Sequence, residues 1–437
     1  MSSMPKTDPR ILVISSVSPS KGPAIIGAQI YEALRQKGLE VDFLTRFPEP
    51  GHPEYLWAER NNIFNRWCHK IADAVRWILA IGHRYREKGY CMFYTTENKP
   101  PVPVRKVMRA IRKEYDLVYI IFWHGMLSFD TVEHIYDRLH CQIHFRAADY
   151  SPMAGGCHFT LDCDGYQKGC GRCPAIGSMK EHDITWQNVL ERRRIYDKVK
   201  PVVTGNLYMM EYYRRSLLLK DARTVLSDAP IIDTDVFRPV DSAPLRARYG
   251  IPDSKKKIIL FGCQAIAEER KGMSYLLEAF DKLYGRMGAD AANVLVMAVG
   301  NQYDDIKDRI AFDSIGTGYV SMNELPGLYS LATLFVCPSV NDAGPMMVNQ
   351  SLCCGTPVVG FDMGAVRQVV KDRGTGRCAP LKDTDALADG MLDIIRMSEQ
   401  DYSATSARAR EVALSTSSFS AQADKILKVY EEYSLNR

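Results

Sequence analysis

The chain has 437 residues, 46% of them hydrophobic and 25% charged, with a formal net charge of +4. That length favours two domains of roughly 200 residues each, and the composition is ordinary for a globular protein. The small charge makes no case for nucleic acid as a partner, no run approaches the roughly 20 apolar residues of a membrane span, and the first ten residues lack a signal-peptide core; a cytoplasmic protein is expected.

Strand-like and helix-like segments alternate throughout, which argues an α/β fold with parallel sheets. Ile11-Leu12-Val13-Ile14 reads as a buried strand, followed by a polar loop to Gly22 and a helix from Ile25 to Gln36 closed by Gly38. Val41–Leu44 is the next strand. Residues 65–90 carry Arg66, Lys70, Arg76, Arg84, Arg86 and Lys88 beside Trp67, Trp77 and aliphatics at helical spacing. Such a basic amphipathic helix suits an anionic membrane surface, or packs its apolar face on the domain core. Arg105, Lys106, Arg109, Arg112 and Lys113 add a second basic stretch. Leu117–Phe122 is a fully apolar strand ending at Trp123-His124-Gly125, and Gln142–Phe145 another.

A cysteine quartet follows: Cys157, Cys163, Cys170 and Cys173, spaced C-x5-C-x6-C-x2-C among glycines. Four thiolates in so short a span are the pattern of a tetrahedral zinc site. Free or redox-active thiols, an iron–sulfur cluster, or disulfides (disfavoured in a reducing compartment) are the alternatives. The other cysteines read as small buried hydrophobes. Val202–Gly205 closes the first half, and residues 233–250 form a linker with one short helix.

The same alternation restarts at Ile258–Gly262, with a helix over Gly272–Leu283 and a strand over Val294–Gly300. Residues 336–361 carry the most information. An apolar strand stops at Pro338-Ser339, a loop bears Asp342 and Gly344, a helix runs from about Pro345 to Cys354, Gly355-Thr356-Pro357 breaks it, and Val358–Phe361 is the next strand. This is a βαβ unit. In such sheets ligands sit beyond the carboxyl ends of the strands, and a helix N-terminus there favours an anion. Asp162-Cys163-Asp164 and Asp233-Thr234-Asp235 have the Asp-x-Asp form of a metal site but read as loop and cap acids. The last helix spans about Phe419 to Tyr433.

The 336–361 segment resembles the nucleotide-sugar signature of the family-4 retaining glycosyltransferases, a Glu-x7-Glu pattern before a Cys-Gly-Thr-Pro-Val-Val break. Asp342 and Gln350 stand at the two acidic positions, with Asn341 an alternative for the first. The resemblance implies that Asp342, with the backbone around Gly344 and Met346, meets the donor sugar and Gln350 the ribose. Phe261–Gly272 resembles the family's phosphate motif, with Gly262 ending the strand, Lys271 at the lysine position and Arg270 replacing an arginine absent from Cys263-Gln264. Gly22 stands in the loop where the family has a glycine-rich turn. His124 matches a histidine near the acceptor, and Asp149 the aspartate of a His-Asp pair whose histidine is here Ala148; His124 or His158 could compensate. A subset of polysaccharide-building members carries such a Cys-rich insert.

The resemblance implies the GT-B architecture, two Rossmann-like domains facing across a cleft. The first would span 1–205 and bind acceptor, with the Cys-rich insert at 155–175. The donor domain would span 206–415, and a helix over 416–437 would cross back to the first. It further implies retaining transfer, without a catalytic metal or a protein general base, from a UDP- or GDP-sugar to a saccharide or lipid-linked saccharide, peripheral to the inner membrane face. Ala148 and Gln350 support a rival reading, a non-catalytic scaffold subunit of a polysaccharide assembly complex. A nucleotide-sugar 2-epimerase would need cleft carboxylates and histidines that are not apparent.

Overall fold

In a computed structural model, described for residues 8–17, 25–60, 67, 71, 102–221, 223–226, 229–262, 266–342 and 344–434, the chain divides into two compact units. The first comprises Met1–Gly205, Met209–Asp228 and Gln422–Arg437; the second comprises Asn206–Tyr208 and Ala229–Ala421.

The first unit is built on a parallel sheet of seven strands: β1 (Ile11–Ser15), β2 (Val41–Thr45), β3 (Leu56–Trp57), β4 (Leu117–Phe122), β5 (Gln142–Arg146), β6 (Val202–Gly205) and β7 (Arg223–Leu226), in the order β3-β2-β1-β4-β5-β6-β7. β1 is buried along its whole length, as expected of a strand covered on both faces. Its longer helices among the described residues are α1 (Ile25–Gln36), α2 (Val104–Ala110), α3 (Phe129–Leu139), α4 (Ile184–Val199) and, from Met209 onward, α5 (Leu207–Arg215). Gly38 ends α1 with φ +83, a left-handed conformation that glycine adopts freely. The Ser128 hydroxyl caps α3 by accepting from Thr131 N at 3.4 Å, and the Asp183 carboxylate caps α4 by accepting from Thr185 N at 2.9 Å.

The second unit has a parallel sheet of six strands: β8 (Lys257–Gly262), β9 (Val294–Val299), β10 (Ser314–Gly318), β11 (Leu334–Cys337), β12 (Val358–Phe361) and β13 (Gly376–Ala379), in the order β10-β9-β8-β11-β12-β13. Its helices are α6 (Ala243–Arg248), α7 (Met273–Met287), α8 (Leu325–Leu331), α9 (Met346–Cys353), α10 (Gly364–Val369), α11 (Thr384–Ile395) and α12 (Glu399–Ser417). Side chains alternate across the sheet and so form two cores. Ile259, Phe261, Val294 and Val296 pack with α7 and α11; Ile258, Leu260, Leu295 and Met297 pack with α8 and α9.

The last helix, α13 (Phe419–Ser434), belongs to the first unit from Gln422 onward. Gln142 on β5 donates to the Tyr430 carbonyl at 2.9 Å, Arg146 to Gln422 Oε1 at 3.2 Å, and Lys37 pairs with Asp424 at 2.7 Å. Among the described residues no helix is long and apolar enough to cross a membrane. Strand order reverses direction between β1 and β4 in one sheet and between β8 and β11 in the other. Those reversals are where an open α/β sheet leaves a crevice.

Candidate functional site

The β8/β11 reversal gathers charge. The turn Glu269–Lys271 opens α7 through Gly272, whose φ is +71 and whose Cβ, if present, would stand 1.9 Å from the Pro338 carbonyl oxygen. Only glycine allows this turn to lie against the end of β11. The amides of Val340 and Asn341 donate to the Arg270 carbonyl at 2.8 and 3.2 Å, fixing the two loops together. In consequence Asp342 Oδ2 lies 2.6 Å from Lys271 Nζ and 3.2 Å from Arg270 Nη1, while Asp342 Oδ1 accepts from Gly344 N at 3.2 Å. Arg270 also pairs with Glu268 at 2.5 Å. Two cations thus face two carboxylates, and any anionic ligand would compete with Asp342 for them.

A Cβ on Gly262 would meet Met347 Sδ at 3.0 Å, and Met346 is the first residue of α9. Gly364 (φ +49) lies against the Asp342 carbonyl, a proximity that the sequence reading missed although Gly364 follows the end of β12 in the pattern Phe-Asp-Met-Gly. Glu268, the second carboxylate of the cluster, was missed too. Gln350 does not join the cluster. It is buried in α9, and its Oε1 accepts from the Tyr329 hydroxyl at 3.1 Å. Gly22 and Cys263-Gln264 lie outside the described residues, as does the basic segment 65–90 apart from Trp67 and Ile71.

In the first unit, His124 follows β4 and Asp149 follows β5. Asp149 Oδ1 accepts from Ser151 N at 2.8 Å, and its Oδ2 is hydrogen-bonded to His158 Nδ1. The His158 ring meets His124 edge-on with centroids 4.8 Å apart, and His124 leans on Trp123 at 4.3 Å. Burial alone would raise the Asp149 carboxyl, but the contact with His158 and the hydrogen bond from Ser151 more than offset it and hold the group below its ordinary value. Desolvation pushes His124 down to about 3, against the pull of Asp149, so this imidazole is neutral at pH 7.

The loop from Asp149 to Gly155 is fastened at nearly every carbonyl. Tyr213 donates to Asp149 O at 2.8 Å, Tyr196 to Pro152 O at 2.9 Å, Ser216 to Met153 O at 3.0 Å and Asn188 to Gly155 O at 2.8 Å. Arg192, wholly buried, donates to Ser151 O at 2.5 Å and also to Ala154 O, with its guanidinium over the Phe129 ring. A Cβ on Gly155 would come within 2.1 Å of the Thr185 carbonyl oxygen, so α4 and the loop touch backbone to backbone.

Cys157, Cys163, Cys170 and Cys173 line one cavity of ≈ 20 Å³, room for a single water-sized body. Gly155 N and Gly165 N donate to the sulfurs of Cys170 and Cys163 at 3.4 Å each. Desolvation, reinforced by neighbouring thiols, pushes Cys157 well up; desolvation takes Cys170 to about 12 and also raises Cys173. No disulfide joins these cysteines. The expected metal centre is not formed in this geometry: among the described residues no three His, Cys, Asp or Glu side chains are grouped closely enough to hold an ion. The Asp-x-Asp acids behave as local loop groups, Asp164 pairing with Lys168 at 2.7 Å and Asp233 accepting from Asp235 N at 3.0 Å.

Residues 256–397 match the family model described as glycosyl transferases group 1. The chain is 27% identical over 217 residues to an alpha-D-kanosaminyltransferase of Streptomyces kanamyceticus, covering 46% of this chain and 53% of that protein. It is 29% identical over 202 residues to a phosphatidyl-myo-inositol mannosyltransferase of Mycobacterium leprae, covering 44% and 50%. The chain therefore spans about half the length of these curated relatives. In overall fold it resembles sucrose-phosphate synthase from Thermosynechococcus elongatus (TM-score 0.62, 18% identity, 98% of this chain and 100% of that one). It also resembles Anabaena HepE, solved in complex with UDP-glucose (TM-score 0.60, 12% identity, 96% and 99%). The protein has the GT-B fold, and residues 256–397 of its second unit are similar to the glycosyl transferases group 1 family.

Proposed function

We propose that the protein transfers a sugar, with retention at the anomeric carbon, from a nucleoside diphosphate sugar to a saccharide or lipid-linked saccharide. The observation that carries this reading is the meeting of Arg270, Lys271 and Asp342 at the β8/β11 reversal. A leaving diphosphate needs fixed positive charge as the glycosidic bond breaks. Lys271 and Arg270 would turn from Asp342 to the phosphates, releasing the carboxylate to accept from a donor-sugar hydroxyl. Backbone at Gly22, Gly262, Gly344 and Met346 would border the donor. His124 and Asp149 are proposed for the acceptor side. Gln350 reaches a ribose only by giving up its bond to Tyr329. The UDP-glucose held by the structural neighbour HepE supports a nucleotide-sugar donor.

Melting curves recorded with a panel of UDP-, GDP- and ADP-sugars test the donor site, because a ligand bound only by the folded state raises its stability. No shift with any of them would end this reading. The engagement of Gln350 by Tyr329 favours the scaffold alternative, which predicts donor binding with neither transfer nor donor hydrolysis. Vesicle co-sedimentation with anionic lipids tests membrane association, for which the basic residues of 65–90 and 105–113 are the support.

For zinc, the convergence of four thiols on one water-sized cavity and the N–H donors to sulfur are favourable, but the thiols must move inward to bind. Metal bound there would hold the insert in place and take no part in transfer. Elemental analysis of protein expressed with zinc, finding no metal, would remove that assignment.

A further inference from the structure

We propose that Gln302, on the loop after β9, is a positioning residue for the nucleotide donor: its side-chain oxygen fixes the turn that carries Arg270 and Lys271. The inference rests on the donor reading above. β8 and β9 are adjacent parallel strands that end level, Gly262 opposite Val299, so the loops leaving them start side by side beyond the carboxyl edge of the sheet. There Gln302 Oε1 accepts from Ile266 N at 3.1 Å. A backbone N–H can only donate, so the glutamine turns its oxygen, not its nitrogen, toward this loop. Arg270 and Lys271 follow Ile266 by four and five residues.

Gln302 is itself held. Gly300 N donates to the Gly318 carbonyl at 3.0 Å, and Asp305 N to the Gln302 carbonyl at 3.3 Å. The next residue, Tyr303, donates its hydroxyl to Ser314 O at 2.8 Å, and its ring lies on β10 at Gly316, where a Cβ would strike it. The side chains of Ile266 and Tyr303 both pack on the core shared with α7 and α11. At its other end the turn is held by Val340 N and Asn341 N, which donate to the Arg270 carbonyl. The segment bearing the two cations is thus tied at both ends, by the backbone after β11 and by one side chain after β9. Without the second tie its amino end is held by packing alone, and a diphosphate must order Arg270 and Lys271 as it binds. That cost falls on every nucleotide alike, whatever its base or sugar.

The test sets Gln302→Met, which keeps the length and loses the acceptor, beside Gln302→Glu, which keeps an acceptor, in the full-length protein. Binding of UDP, GDP and ADP is measured by calorimetry, and hydrogen exchange is followed in peptides that span Ile266. Gln302→Met should weaken whichever nucleotides bind wild type by a common factor of about five to ten, the worth of one neutral hydrogen bond. It should speed exchange at Ile266 by about the same factor, with a melting temperature within about 3 °C of wild type. Gln302→Glu should keep Ile266 slow and, at about 0.5 M salt where its charge is screened, bind nucleotide within about twofold of wild type. Binding by Gln302→Met within about twofold of wild type, or by Gln302→Glu no better than by Gln302→Met, overturns the proposal. So does a melting temperature that falls in step with affinity, which assigns Gln302 to the fold instead. Wild type that binds none of the three nucleotides nor any of their sugars would sink the donor reading, and the exchange comparison would then still decide whether Gln302 fixes the turn.

Discussion

The two loop clusters are held by different forces. Beyond β5, uncharged donors and one guanidinium bind the backbone carbonyls of Asp149–Gly155, and all of these donors are buried. Beyond β8 and β11, the cluster is a set of ion pairs at partly exposed side chains, with Lys271 at 29% exposure and Asp342 at 11%. Ion pairs of that kind hold weakly and exchange partners. One region is tied by buried hydrogen bonds to its own backbone; the other is tied by ion pairs.

The sharpest way to break the contrast is Arg192→Ala. It strands two buried carbonyls and leaves a cavity, and should cost about 4 kcal/mol, read as a lower urea midpoint with unchanged slope. Gly272→Ala should cost about 2–3 kcal/mol, since the new Cβ must displace the Pro338 carbonyl from a backbone that is already left-handed. Nucleotide-sugar binding should vanish with it. Acid should distinguish the clusters as well. His124 sits at about 3 in the folded chain and near 6.5 when unfolded. Its contribution is complete above the unfolded value and declines as pH falls, because the unfolded chain takes up the proton first. About 2 kcal/mol should be lost between pH 7 and 5 from this group, and His124→Gln should flatten that part of a pH–stability curve.

Smaller effects are expected at the charged cluster. Asp342→Asn should change stability by less than about 1 kcal/mol. By calorimetry it should bind UDP at least as tightly as wild type, because the cations lose their internal competitor, while transfer falls. Tyr329→Phe should cost about 1 kcal/mol and leave UDP affinity unchanged if Gln350 stays in the core.

Much of the fold was legible because buried parallel strands are continuous apolar runs. β1, β2, β4, β8, β9, β11 and β12 all stand where Ile, Leu, Val and Phe cluster. β3, β7, β10 and β13 were not. Leu-Trp is too short to show a period, Arg-Thr-Val-Leu has little apolar content, and Ser-Ile-Gly-Thr-Gly and Gly-Arg-Cys-Ala carry residues that strands disfavour. Their strand state comes from pairing with neighbours. At the candidate site, the family resemblance singled out Arg270, Lys271 and Asp342, but not that they bind each other. Gln350 aligned with a ligand position and turned into the core, since a neutral amide is far cheaper to bury than a carboxylate once Tyr329 satisfies it. The His158–Asp149 contact had no local signal, the two residues being joined only by the path of an irregular loop.

The placement of α13 bears on how the molecule is made. The part of α13 from Gln422 onward completes a unit whose first strand begins at Ile11. The strands that leave the ribosome before it must therefore wait, with β5 still lacking its partners at Tyr430 and Gln422, until α13 has been synthesised. The domain that emerges second can settle before the one that emerges first, and a premature stop near residue 418 would injure the amino-terminal half rather than the part it truncates.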